Sequence, residues 1–368
     1  MIPFKKGHAD WRRWTIGITG MNARPDNPGP GLAVGRCLRE VMGFTGRLVG
    51  LGYEVLDPGL YSGAIFDAGY LLPYPSCGSE GQLERLLEIH AAERLDVVIP
   101  CLDAELSTFA HNEALLAASG MRMLLPTLEQ LRERAKDNLG ILCRKLGLDT
   151  PETQKVSDVA FFDRCRDEGW EYPLVVKGVY YDAVVADTPE EAKSAFHRIA
   201  LKWGYPLLVQ KFVGGYEINL TAVGDGRGEM LGPVMMRKRA LTDKGKAWAG
   251  ISIDDQELEE LGRTIISGLR WRGPLEVEAL RATDGRLYLI EINPRFPAWV
   301  YLTHGVGCNL PQVVLRLLAD DRPTDMPRPR PGTLFIRYAE ELITSLEQFQ
   351  AMMVNGVLVT PCDKNRVA

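Results

Sequence analysis

The alternation of apolar and polar residues predicts a β-hairpin in the last third of the chain. Two runs with period-two alternation, 273–280 and 287–292, flank the dipeptide Asp284-Gly285. Such alternation is typical of a strand with one buried face, and Asp-Gly is a frequent two-residue hairpin turn. A two-residue turn would also fix the register, so the pattern predicts which residues face each other across the strands.

This register places acidic residues opposite each other. It pairs Glu278 with Glu291 and Glu276 with Asn293, and the alternation puts all four on one face. Directly opposed carboxylates repel, so we expect a cation between them. Oxygen ligands without His or Cys favour Mg²⁺ over zinc. Arg295, two residues further on, could then reach an anion bound to that metal, which indicates phosphoryl chemistry on a nucleotide.

Two other interpretations of the hairpin stay open. The acidic positions could form a solvated face with no ligand. A three-residue turn would shift the register and weaken the argument for opposed carboxylates.

Upstream of the hairpin, the first segment of the chain has an α/β pattern. Short strands alternate with helices, which is typical of a parallel sheet. The predicted elements are a strand at 14–20, a helix from Leu32, a strand at 53–56, a helix at 82–94 and a strand at 96–100. Glycines lie near the first strand–helix turn, but the ordered G-x-G-x-x-G is absent, which disfavours a nicotinamide or flavin enzyme.

A second α/β segment is predicted after Pro151. Thr188 and Pro189 are typical of an N-cap and a first helical residue, and Glu191 would complete a capping box. The remaining predicted elements are helical structure at 127–148, strands at 172–177 and 181–186, a helix at 188–203, a strand at 207–213, a helix at 255–270, a linker at 322–331, a strand at 334–338 and a helix at 345–353.

Composition excludes several classes of protein but does not identify the function. The 368 residues are 46% hydrophobic and 25% charged, with a net charge of −5, which is ordinary for a globular protein. No basic tract indicates nucleic acid, and no apolar run approaches the ~20 residues that span a bilayer. The N-terminus lacks the apolar core of a signal peptide. Seven scattered cysteines predict reduced thiols, and we therefore expect a cytoplasmic protein.

Three motifs in this order resemble those of the ATP-grasp superfamily, and most closely its carbamoyl-phosphate-synthase-like carboxylate ligases. They are Val176-Lys177, the segment 210–217 and the segment 291–295. The resemblance implies a fold of α/β and α+β class, with an N-terminal Rossmann-like pre-ATP-grasp domain before a two-subdomain ATP-grasp fold. The implied parts are the Rossmann-like domain at 1–126, the two subdomains at 127–206 and 207–321, and a linker with a C-terminal extension at 322–368.

The resemblance also implies roles for individual side chains around ATP and Mg²⁺, with Mn²⁺ as a substitute. The implied nucleotide contacts are Lys136, Lys177, Gln210, Lys211, Val213 and Glu217. The implied metal ligands are Glu278, Glu291 and Asn293, the same residues that the hairpin register brings together. The implied catalytic residues at the transferring phosphate are Arg295 and Lys238.

Several positions near these motifs have more than one interpretation. The family's Gly- and Ser-rich loop after the strand-end lysine is replaced by 178–183, where Tyr180 or Asp182 could face the substrate. Arg237 and Lys238 alternate on a strand, so only one can point inward. Arg239, Lys244 and Lys246 are further candidates for phosphate contacts, and the loop 243–250 could be a lid or a surface hairpin. Asp103 and Glu105 could bind an amine or could be acids at the start of a helix. We expect His304 to be a structural residue.

These observations lead to an ATP- and Mg²⁺-dependent carboxylate–amine ligase that acts through an acyl phosphate. The expected substrates are a small-molecule or peptide carboxylate and an amine, with no nucleic-acid or membrane partner. The alternatives are another ATP-grasp reaction, such as carboxyl or carbamoyl transfer, and an ATP-binding regulatory protein that does not turn over. A carbamoyl phosphate synthase would need a second synthetase half. Residues after Arg330 match nothing clear and could serve a homodimer or partner docking.

Overall fold

The structure, a computed structural model, describes residues 10–179, 182–242, 245–324 and 326–359. Its first part contains a mainly parallel sheet, as the alternating pattern predicted. Strands β1 to β4 are parallel and lie in the order β3-β2-β1-β4. The elements of this part are β1 (Thr15–Ile18), α1 (Gly31–Arg39), β2 (Arg47–Gly52), β3 (Ala68–Leu71), α2 (Ser79–Glu93), β4 (Val97–Ile99), α3 (Asp103–His111) and α4 (Glu113–Ser119).

The second part is built around a four-stranded antiparallel sheet with the order β5-β8-β6-β7. Thr188 caps helix α8 as predicted, because its hydroxyl accepts the backbone N–H of Glu191 at 3.2 Å. The predicted capping box is replaced, since Glu191 Oε2 accepts the backbone N–H of Asp187 at 2.8 Å. The elements of this part are α5 (Leu128–Glu133), α6 (Leu139–Leu146), β5 (Thr153–Val156), α7 (Phe161–Arg164), β6 (Leu174–Lys177), β7 (Ala183–Ala186), α8 (Pro189–Trp203) and β8 (Leu207–Lys211).

The third part contains a six-stranded sheet with long central strands. Its order is β13-β12-β9-β10-β11-β14. The elements of this part and of the C-terminal segment are β9 (Gly215–Asp225), β10 (Met230–Leu241), β11 (Ala247–Ile253), α9 (Gln256–Leu269), β12 (Arg272–Ala282), β13 (Leu287–Asn293), α10 (Tyr301–Gly305), α11 (Leu310–Leu318), β14 (Leu334–Ile336), α12 (Leu346–Asn355) and β15 (Val357–Val359).

One face of the six-stranded sheet packs on α9 and α6, and this packing sets which residues are left for the other face. Leu275, Val277 and Ala279 of β12 are fully buried in that core. Because side chains alternate along a strand, Glu276 and Glu278 point to the opposite face. The apolar core therefore determines where the acidic positions lie.

The C-terminal segment joins two sheets. Strand β14 pairs with β11 at the edge of the six-stranded sheet, and β15 pairs antiparallel with β3 of the first sheet. The sequence pattern predicted the strand and the helix of this segment but not its last strand. A three-residue strand carries too little periodicity to be recognised without its partner.

Two predictions of local structure were wrong. The second strand of the first sheet is Arg47–Gly52 and not 53–56. Residues 53–57 form a turn instead, because Asp57 Oδ2 accepts the backbone N–H groups of Tyr53 and Glu54 at 3.1 and 3.2 Å. The helical stretch at 127–148 is two helices, α5 and α6. The mixed α/β and α+β class is confirmed.

Among the helices that the structure describes, none combines the length and the apolar character needed to cross a membrane.

Replacing Gly273 with alanine should lower the free energy of unfolding more than the same change at Gly285. Both residues have φ near +90°, at +94° and +88°, so either change forces L-alanine into a left-handed backbone at about 1–2 kcal/mol. At Gly273 the added Cβ would also lie 2.5 Å from the Leu124 carbonyl oxygen, whereas at Gly285 no described residue beyond its chain neighbours has an atom within 4 Å. Chemical denaturation of both variants measures the difference, and equal losses would contradict this account of the start of β12.

Candidate functional site

Two rows of polar side chains cross the three strands β9, β12 and β13. In each row, directly paired residues of neighbouring strands lie side by side. The first row contains Asn219, Glu278 and Glu291, and the second contains Thr221, Glu276 and Asn293. The pairs of Glu278 with Glu291 and of Glu276 with Asn293 are those that the hairpin pattern predicted.

The turn and the strand register that produce these pairs differ from the predicted ones. The Ala282 N–H donates to the Arg286 carbonyl oxygen at 2.9 Å, so the turn has three residues, 283–285, and not two. This longer turn shifts the register by one residue. The register then shifts back between Glu278 and Ala279, where Ile290 is the extra residue of β13. The two irregularities cancel, and the acidic pairs are restored.

Glu276 lies at the centre of the second row and is 5% exposed. Its Oε1 accepts hydrogen bonds from Asn219 Nδ2 at 3.0 Å and from Trp299 Nε1 at 2.6 Å. Its Oε2 accepts from Asn293 Nδ2 at 3.0 Å. Burial and, secondarily, the neighbouring Glu278 raise the pKa of this carboxyl. The alternation placed Glu276 on the acidic face, but the resemblance assigned no role to it.

Glu278 is held ionised by cations that approach from other elements. Burial acts to raise its pKa, but Lys238, Lys246 and Lys136 outweigh burial and lower the pKa to about 2. The Lys238 ammonium lies 3.6 Å from Glu278 Oε2 and also donates a hydrogen bond to Glu217. For Lys238, burial is likewise outweighed by the two carboxylates, which raise the pKa of the ammonium.

A second group of cations comes from the four-stranded sheet and the segment before it. Lys136 Nζ lies 3.2 Å from Glu291 Oε1. Lys177, at the end of β6, donates to Gln210 Oε1 at 2.6 Å, and Gln210 in turn donates to Thr153 Oγ1 at 2.9 Å. Burial and the charge of Lys136 lower the pKa of Lys177 to about 8. The two sheets therefore face each other across a set of lysines and carboxylates.

Arg295 connects this set to the first sheet. Its Nε lies 3.5 Å from Asp103 Oδ1, at the start of α3 directly after β4. The other acid of that helix has a structural role. Glu105 is fully buried and accepts the backbone N–H groups of Cys101 and Leu102 at 2.9 and 3.0 Å. Glu105 is therefore a helix-start acid and not a contact for an amine.

The structure decides which residue of the basic run on β10 faces the acids. Lys238 does so, whereas the guanidinium of Arg237 lies over the Tyr216 ring at 3.9 Å. Lys246 is close enough to affect the pKa of Glu278. Lys244 lies outside the described residues.

Three other candidates stand apart from the lysine–carboxylate set. Lys211 Nζ lies 2.6 Å from Glu152, because Lys211 and Gln210 point to opposite faces of β8. Val213 follows the end of β8 and is partly exposed. Asp182 accepts from Lys202 and Trp203 at 2.9 and 2.7 Å, so it does not face the acids. Tyr180 lies outside the described residues.

The donor atoms fit a magnesium ion that completes its shell with phosphate oxygens. In the part of the chain that the structure describes, no three Asp, Glu, His or Cys side chains form a metal cluster by themselves. Glu278, Glu291 and the amide oxygen of Asn293 are hard donors on adjacent strands. Mg²⁺ is commonly bound by one or two carboxylates together with substrate phosphates, so this donor set suits a metal–nucleotide complex.

Comparisons with known sequences match this chain to a family model and to curated proteins. A family model described as ATP-grasp in the biosynthetic pathway with Ter operon matches residues 205–341. The large chain of carbamoyl phosphate synthase from Halomonas eurihalina is 26% identical over 255 residues, which are 64% of this chain and 23% of that relative. The chain thus spans about a quarter of the length of this curated relative.

Solved structures share the fold at low sequence identity. The biotin carboxylase domain of 2-oxoglutarate carboxylase from Hydrogenobacter thermophilus, solved with MgADP and bicarbonate, is 15% identical with a TM-score of 0.66, over 88% of this chain and 73% of that one. An L-amino acid ligase from Bacillus licheniformis is 16% identical with a TM-score of 0.62, over 86% and 78%. Residues 205–341 therefore resemble an ATP-grasp family, and the chain shares its fold with these solved structures over most of its length.

Proposed function

We propose that this protein is an ATP- and Mg²⁺-dependent ligase that joins a carboxylate to an amine through an acyl phosphate. The observation that carries this proposal is the convergence of Lys136, Lys177 and Lys238 on the acidic face of the hairpin. Cations and carboxylates that meet in one cleft suit a metal–triphosphate complex, because lysines can contact phosphate oxygens while the acids hold the metal.

In this proposal the nucleotide lies between the four-stranded and six-stranded sheets. Lys136 and Lys177 contact the phosphates, Glu217 accepts from the ribose hydroxyls, and the segment from Gln210 to Val213 borders the adenine. Gln210 already holds the Lys177 ammonium at 2.6 Å, so this lysine needs little rearrangement to bind an anion. Lys211 borders the same segment but points to its outer face.

The chemistry requires activation of the substrate carboxylate. A carboxylate is a poor electrophile because oxide is a poor leaving group, and transfer of the γ-phosphoryl group to a carboxylate oxygen gives an acyl phosphate and ADP. The amine nitrogen then attacks the carbonyl carbon, phosphate leaves with the electrons of the C–O bond, and the nitrogen loses a proton. When bound, Mg²⁺ would neutralise charge on the phosphates. Lys238 and Arg295 offset charge on the transferring group from the protein side.

Other ATP-grasp reactions remain the alternative, because relatives of this fold are named for several. They include a carbamoyl phosphate synthase and carboxylases. The L-amino acid ligase of the same fold is named for joining amino acids, which favours an amide product here. A non-catalytic ATP-binding protein is disfavoured because the proposed lysine, acid and arginine framework lies together in one cleft.

The proposal is tested by Mg²⁺-dependent release of ADP from ATP, with the purified protein and pools of amino acids, small carboxylates and amines. We expect ADP only with a pool that contains both a suitable acid and a suitable amine. ADP release that needs bicarbonate and no carboxylic acid would instead establish a carboxyl- or carbamoyl-transfer reaction. ATP binding without ADP in any pool would favour a larger acceptor or the non-catalytic alternative.

Replacing Glu291 with glutamine should reduce ADP release by at least about 100-fold, because it removes a proposed ligand of the metal. The matched control is Glu260→Gln, since Glu260 lies on the exposed face of α9 with a side chain that is 71% exposed. The control should keep wild-type turnover. Near-normal ADP release by Glu291→Gln would contradict the assignment of the metal ligands.

The affinity for ATP should fall as the pH rises through about 8. The Lys177 pKa is lowered to about 8, so the ammonium that attracts phosphate is present below this pH and is lost above it. Isothermal titration of ATP between pH 7 and 9.5 measures the effect. Lys177→Arg should bind with little change across this range, because the guanidinium stays protonated. A parallel fall in both proteins would assign the pH dependence to another group.

A further inference from the structure

Glu276 is a buried carboxylate that the proposed reaction does not use. It is not one of the proposed metal ligands, yet both of its oxygens are occupied by hydrogen-bond donors. Its neighbours on the two adjacent strands, Asn219 and Asn293, are 0% and 3% exposed. A carboxylate so fully surrounded by donors is an acceptor that can orient them.

The hydrogen bonds fix which end of each amide faces the carboxylate. The terminal atom of Asn293 assigned as Nδ2 lies 3.0 Å from Glu276 Oε2 and also 3.0 Å from Glu278 Oε1. An amide oxygen at that place would face two carboxylate oxygens, so this atom must be the NH₂ group. The carbonyl oxygen of Asn293, the only atom of this side chain suited to a metal, is therefore the end of the amide that neither acid holds.

The second amide is oriented in the same way. Asn219 Nδ2 donates to Glu276 Oε1 at 3.0 Å. Its own carbonyl oxygen is buried and has no hydrogen-bond partner among the residues that the structure describes. Asn219 lies directly opposite Glu278 in the strand register. A buried amide oxygen without a donor is costly by itself, so a fixed orientation of Asn219 needs the hydrogen bond from its other end to Glu276.

We propose that Glu276 is a positioning residue, which turns the amide of Asn293 so that its carbonyl oxygen is presented to the metal of the nucleotide complex. This inference rests on the proposed metal–nucleotide site. Trp299 completes the arrangement, because its indole N–H occupies the other carboxylate oxygen and prevents Glu276 from turning toward the metal itself. The negative charge of Glu276 thus selects the orientation of a neighbouring ligand and does not bind the ion.

The variant Glu276→Gln replaces one of the two carboxylate oxygens, both of which accept hydrogen bonds, with an NH₂ group that donates. The carbonyl oxygen of the new amide should stay with its two donors, Asn219 and Trp299, and its NH₂ group would then face the NH₂ group of Asn293. Asn293 then either turns, with its oxygen against Glu278 Oε1, or stays with its NH₂ group against that of the new amide, so its oxygen is no longer held in one orientation toward the metal. We expect binding of Mn²⁺ in the presence of ADP, measured by electron paramagnetic resonance, to weaken about 10- to 100-fold.

The variant Asn293→Asp tests the same idea in the opposite direction. In the wild-type background it places a carboxylate oxygen against Glu276 and Glu278, so Mn²⁺ binding should weaken although the site gains a negative charge. In the Glu276→Gln background the new amide can donate to that oxygen, so the same change should cost less or should restore binding. A merely structural role for Glu276 predicts equal fold-losses in both backgrounds.

The outcomes separate this inference from the proposed function. Wild-type protein that binds no Mn²⁺ with ADP would overturn the metal site and the positioning role together. Wild-type binding with unchanged affinity in Glu276→Gln would overturn the positioning role alone. If Glu276→Gln does not fold, Asn293→Asp alone tests the positioning role. Tighter Mn²⁺ binding in that variant would show that Glu276 does not constrain the amide. None of these measurements depends on finding the substrates.

Discussion

The pairing of β9, β12 and β13 is the constraint on which the rest of the site depends. One face of these strands carries the apolar residues that pack on α9, and the other carries the acids. A shift of one residue in this pairing would exchange the two faces, so the buried side chains hold the register against the repulsion of opposed carboxylates. The core thereby stabilises an arrangement that the acidic residues alone would not adopt.

The lysines around the hairpin reduce the cost of bringing these acids together. They come from different parts of the chain: Lys136 precedes α6, Lys177 ends β6, and Lys238 lies on β10. The ammonium groups of Lys136 and Lys238 lie 3.2 and 3.6 Å from Glu291 and Glu278. Lys177 is close enough to the same acids that their charges affect its pKa. Because the lysines come from other elements, the packing that forms the site also brings the neutralising charges to the acids.

The fold by itself does not decide the reaction. Structures with TM-scores of 0.66 and 0.62 to this chain are named as a carboxylase domain and as an amino acid ligase, at 15% and 16% identity. What these proteins share with this chain is the fold, and the groups that recognise a ligand commonly lie on the loops at the carboxyl ends of sheet strands. In this chain those loops meet the cleft through the contact of Asp103 with Arg295.

The sequence by itself determined the features that depend on neighbouring residues. Strong alternation with a Gly-containing turn defined the hairpin and the common face of its acids, and local capping defined the start of α8, because strand period and cap chemistry act over a few residues. Three short motifs in order carried the resemblance to the ATP-grasp superfamily and, with it, the expected fold class.

Only the tertiary structure decided what depends on distant contacts. The bulge at Ile290 exists because Leu289 and Ile292 both enter the core, and strict alternation would have separated them. Tertiary contacts also decide that Lys238, and not Arg237, faces the acids. The proposed role of Glu276 depends on the hydrogen bond from the indole N–H of Trp299, which lies beyond the hairpin in the sequence. A hydrogen bond between residues far apart in the chain leaves no periodic signal, so the orientation of the site could be read only once the strands and the following turn were packed together.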